Sequence, residues 1–82
     1  MSRLMAYRIH ARRRCRKRYG LKLTRNRYAQ IVADIQAGRA EYLGRSPSGR
    51  QVWLANLGTQ TGIVVYDTED KSLVTFLKRR GG

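Results

Sequence analysis

Acidic residues are scarce in this chain. Five Asp and Glu stand against 18 Lys and Arg, a formal charge of +13 over 82 residues. A two-metal nuclease needs clustered carboxylates. The one cluster here, Asp67, Glu69 and Asp70, falls in a predicted hairpin turn, where solvation is the simpler role. Cysteine is limited to Cys15. That excludes an internal disulfide or a zinc cluster and makes a reducing compartment the default. No apolar run approaches the roughly 18 residues that read as a membrane span. No Gly-rich phosphate loop of the P-loop or dinucleotide type is present. The opening lacks the apolar stretch of a signal peptide. Its Arg-rich composition resembles an organelle transit peptide, but the segment is predicted to belong to the fold. A cytoplasmic setting follows, and no cofactor or metal is expected.

What the chain has is positive charge, and it is uneven. Residues 1–33 hold eleven Lys and Arg and no acid; the first acid is Asp34. So much like charge opposes compaction unless a partner neutralises it. Nucleic acid does so and releases its condensed counterions. An anionic membrane would call for a strongly amphipathic helix or a lipidation signal, and neither is found. The expected partner is therefore a polyanion, nucleic acid above all, with an acidic protein as the alternative.

One domain over 1–82 is expected, with a modest core for its size. Tyr7, Ala11, Cys15 and Tyr19 recur every four residues, which predicts a helix over about 5–19, stopped by Gly20. A second helix is predicted over about 24–37. It is capped by Thr24 or Asn26, buries Tyr28, Ile31, Val32 and Ile35, and ends at Gly38. Strand-like runs follow at 41–45, 50–57, 62–67 and 72–77. They are separated by turns at Ser46-Pro47-Ser48-Gly49, Gly58-Thr59-Gln60 and 68–71. The fold class is α+β: two N-terminal helices packed on a four-stranded, mainly antiparallel sheet. Residues 78–82 read as a short basic tail.

His10 is the only histidine and the natural general acid or base. Arg14 and Arg18 follow at four-residue spacing and share its face of the helix. A histidine beside several guanidinium groups suits a metal-free reaction at phosphate. The RNA 2′-hydroxyl attacks the adjacent phosphorus while the arginines hold the developing charge. The competing reading makes His10 one more polar residue on a solvated basic helix.

Arg12, Arg13, Arg16, Lys17, Lys22, Arg25 and Arg27 are the expected phosphate contacts. Tyr19 and Tyr28 are interleaved with Arg and Lys and are candidates for stacking on bases; each is also well placed for the core, the better reading for Tyr28. Arg50, Tyr66 and Thr75 are candidates from the sheet, and the last two are packing residues if they face the helices. Tyr28, Trp53, Phe76 and Cys15 read as core.

The pattern His10-Ala11-x-x-Arg14-x-x-x-Arg18, followed by Gly20, resembles the opening helix of a family of small bacterial and phage proteins. That family belongs to the barnase/EndoU/colicin/RelE (BECR-fold) group of metal-independent ribonucleases. Gly38-Arg39, Val64-Val65-Tyr66 and Val74-Thr75 fall in a similar order. The chain departs from the pattern at Tyr19, which stands between Arg18 and the glycine. The resemblance implies a toxin-like or phage-type endoribonuclease that leaves a 2′,3′-cyclic phosphate, in a bacterial or phage-infected cell. His10 would be acid or base, Arg14 and Arg18 would bind phosphate, and Thr75 would hydrogen-bond it. It also implies a ribosome or an acidic, antitoxin-like protein as a partner. A non-catalytic nucleic-acid-binding protein, ribosome-associated or blocking a host nucleic-acid enzyme, is the alternative.

Overall fold

The computed structural model describes residues 3–78. Its elements are α1 (Arg3–Tyr19), α2 (Arg25–Gln36), β1 (Glu41–Arg45), β2 (Gln51–Asn56), β3 (Thr61–Asp67) and β4 (Ser72–Leu77). The strands form one antiparallel meander in the order β1-β2-β3-β4. The architecture is the expected α+β arrangement of two helices on a four-stranded antiparallel sheet. Of the predicted tail at 78–82, only Lys78 lies within the described residues.

α1 follows its four-residue stripe. Ala11 and Cys15 are buried, while Tyr7 and Tyr19 are half-buried. Gly20 ends the helix at φ +66°, and its N–H bonds the Arg16 carbonyl at 2.9 Å. Residues with a Cβ resist that conformation, so glycine belongs there. Arg16, Lys17 and Arg18 fill the last turn and complement the negative end of the helix dipole. α2 starts where the Thr24 hydroxyl accepts from the Arg27 N–H at 3.1 Å, and it buries Ile31 and Ile35.

One face of the sheet carries the core. Ala55, Val64, Tyr66, Leu73 and Phe76 pack against Ala11, Cys15, Ile31 and Ile35. α2 touches β2 and β4, whereas α1 lies along the edge strand β4. α1 and β4 run in the same direction. Tyr7 sits by the β3–β4 turn, and Tyr19 reaches Leu77.

Tyr19 fixes that alignment. Its hydroxyl donates to the Leu77 carbonyl at 2.6 Å and accepts from the Ile63 N–H at 2.8 Å. Those two residues face each other across β3 and β4. The ring meets Phe76 edge-on, with centroids 6.2 Å apart. It also lies over Gly62, where a Cβ would come within 3.0 Å of the ring. The Tyr28 hydroxyl likewise accepts from the Leu73 N–H at 2.9 Å. Two helical tyrosines thus satisfy backbone donors of the sheet that would otherwise be left unpaired.

β4 is irregular in its middle. Thr75 pairs with Val65 and Leu73 with Tyr66, which leaves Val74 as an extra residue. Leu73 and Phe76 are three residues apart, yet both are fully buried in the helix-covered core. The bulge makes this possible, and it puts Thr75 in the cross-strand row of Val65 and Val52 on the opposite face.

Candidate functional site

The candidate site starts from a stripe on α1. A helix turns about 100° per residue, so Tyr7, His10, Arg14 and Arg18 share an arc of about 80°. His10 and Arg18 are exposed and Arg14 is half-buried. The N-terminal end of the stripe is anchored through Tyr7. Its hydroxyl accepts from Nη2 of Arg50 at 2.8 Å, and the guanidinium carbon lies 5.5 Å from the centroid of the Tyr7 ring. Arg50 also donates through Nε to Oδ2 of Asp67 at 3.1 Å.

Asp67 follows Val65 by two positions, so strand alternation puts it on the face that carries Val65 and Thr75. The anchor therefore ties the N-terminal end of α1 to the Asp67 end of the sheet. α1 lies along the strand that holds Thr75. Thr75 is half-buried. Among the described residues, no hydrogen bond or ion pair links His10, Arg14, Arg18 and Thr75 to one another.

Three sequence expectations need correction. Tyr19 is not a free stacking platform: both its ring and its hydroxyl are committed to the fold. Tyr66 is buried, on the core face, and its hydroxyl accepts from Nε2 of Gln36 at 3.1 Å. Arg50 is held by Asp67 and Tyr7, so it anchors α1 and is not a free phosphate ligand. The sequence reading put Tyr7 on the apolar stripe but missed its hydroxyl bond to Arg50. The signal lay in its spacing, three residues before His10 on the same arc.

The electrostatics of the anchor are set by hydrogen bonds. The Asp67 carboxyl is held below the usual carboxylate range. The backbone N–H of Asp70 contributes most, and Arg50 and the N–H of Glu69 assist. The hydrogen bond to Asp67 in turn raises Arg50 further. Burial pushes the Cys15 thiol up, which fits a packing role and not a reactive one.

The remaining basic candidates surround the helices. Arg12, Arg13, Arg16 and Lys17 are exposed around α1, and Lys22 and Arg25 are exposed at the helix connection. Arg27 is half-buried, and a Cβ at Gly58 would lie 3.0 Å from its Nη2. Among the described residues no His, Cys, Asp and Glu side chains gather in a group of three that could hold a metal ion. No helix among them is long and apolar enough to cross a membrane.

No protein-family model matches the chain, and no curated protein or solved structure matches it significantly.

Proposed function

We propose that this protein binds RNA on the His10–Arg14–Arg18 flank of α1 and cleaves it without a metal. The observation that carries the reading is the run of His10, Arg14 and Arg18 along one arc of α1, beside the strand that holds Thr75. The resemblance of His10-Ala11-x-x-Arg14-x-x-x-Arg18 to the BECR-fold ribonucleases supports it.

In this mechanism His10 takes the proton of an RNA 2′-hydroxyl. The oxygen attacks the adjacent phosphorus, the bond to the 5′-oxygen breaks, and a protonated group returns a proton to that oxygen. The products are a 2′,3′-cyclic phosphate and a 5′-hydroxyl. Arg14 and Arg18 hold the charge on the phosphate oxygens, and Thr75 donates a hydrogen bond to one of them.

The test is incubation of RNA in EDTA with wild type and His10→Ala, with the new ends analysed chemically. Cyclic phosphate ends from the wild type, lost in His10→Ala, are the expected result. Equal cleavage by both proteins, or none by the wild type, overturns it.

One observation favours a second reading, binding without catalysis. His10 is exposed, and no hydrogen bond to another described side chain fixes its ring. A catalytic imidazole is usually oriented by a partner at its second nitrogen. A binder predicts salt-sensitive RNA affinity that His10→Ala leaves intact.

A further inference from the structure

The other flank of α1 is built differently. Met5, Arg8, Ile9 and Arg12 face α2 across a groove of about 270 Å³, floored by Leu23 and Tyr28. Met5 is 54% exposed and Ile9 37%. They stand four residues apart on one helix face and give the groove an apolar wall, the surface on which an amphipathic helix lays its apolar side. Arg8, Arg12 and Arg25 rim this groove and are exposed. No acid occurs in residues 1–33, and Asp34 is taken by Arg39 at 3.0 Å. The groove thus combines exposed aliphatic surface with three guanidinium groups, and no carboxylate lines it.

We infer that this groove docks an acidic, amphipathic helical segment of a partner protein. Apolar side chains of that segment would cover Ile9 and Met5, and its flanking carboxylates would meet the arginines, which bind them in paired hydrogen bonds. RNA fits this surface less well. The only aromatic ring in the groove, Tyr28, has Arg8 over its face at 5.6 Å, and its hydroxyl is already bonded to Leu73. No ring is left there for a base to stack on, and aliphatic side chains give phosphates nothing.

The test is selection from a random peptide library displayed on phage against the full chain, followed by affinity measurement on the winners. The expected winners carry apolar residues at i, i+3 or i+4, and i+7, flanked by Asp and Glu. Their affinity should fall at least tenfold with Ile9→Asp and again with Arg12→Glu. Ile9 is exposed enough for its replacement to fold, and circular dichroism checks this. Winners without the amphipathic acidic pattern, or winners that bind Ile9→Asp as well as wild type, overturn the inference. So does an RNA oligonucleotide whose affinity falls tenfold with Ile9→Asp while the peptides' does not. None of these outcomes depends on RNA cleavage, so this inference and the proposed activity fail separately.

Discussion

Arg50 lies against the Tyr7 ring and donates to its hydroxyl at 2.8 Å across 43 positions of sequence. This contact joins the first turns of α1 to the start of β2. On one side of α1 lies the His10 stripe. On the other lies the groove shared with α2.

The two flanks should differ in their contribution to RNA affinity. In the proposed RNA-bound state, Arg14→Ala and Arg18→Ala each remove one phosphate contact. Each should weaken RNA binding and lower the slope of log affinity against log salt by about one. Arg16→Ala removes the same charge from nearly the opposite side of the helix and should change the slope less. If cleavage is observed, Arg14→Ala should cost about 10²–10³-fold in rate, as for loss of one donor to a charged transition state. Equal effects from all three arginines would mean that the charge acts without an address.

Tyr19→Phe tests the bridge between helix and sheet. The ring stays, so the contact with Phe76 stays. The hydroxyl that serves Ile63 and Leu77 is lost, and a stability loss of about 1–3 kcal/mol is expected in a denaturant titration. No loss would mean that the Ile63 N–H and the Leu77 carbonyl close directly on each other.

Asp67 makes a pH prediction. Its folded pKa is lowered, chiefly by the Asp70 N–H and with help from Arg50. A carboxyl lowered on folding stabilises the protein above its unfolded pKa and loses that contribution as pH falls through the folded value. Stability should therefore drop through the acid range below the ordinary carboxylate pKa. In Asp67→Asn that part of the drop should be absent and the stability at neutral pH lower. Parallel acid profiles for the two proteins, measured by thermal unfolding from neutral to strongly acid pH, would refute the assignment.

Much of this fold was legible in the sequence because its signals are local. Cys15 and Ala11 mark the buried stripe of α1, Ile31 and Ile35 mark that of α2, and Gly20 and Gly38 stop the helices where the spacing says they should. What stayed hidden depends on residues far apart in sequence. Tyr19 reads two ways, as the last member of the apolar stripe and as an aromatic among arginines, and its meeting with Leu77, 58 positions away, decides that it is structural. The face of Thr75 was undecidable for a different reason. Alternation counted from Leu73 puts Thr75 in the core, while alternation counted from Phe76 puts it outside. The extra residue at Val74 resolves the conflict, and a period-two pattern cannot see an insertion. Arg50 looked like one more phosphate ligand because charge composition does not reveal that an internal partner has already claimed it.

Laying α1 along β4 also decides how copies of this protein can meet. The sheet keeps one lateral margin without a helix, at β1, whose row of backbone groups could template a further strand. That margin is five residues long, interrupted between Tyr42 and Gly44, and ends on Arg45 with Arg39 just before it. Antiparallel pairing of two such edges about Leu43 would set Glu41 of one copy opposite Arg45 of the other, so the shortness and the kink of the track, and not its charge, limit pairing there. A short, kinked edge is a poor template for a further strand, which works against fibre growth from β1.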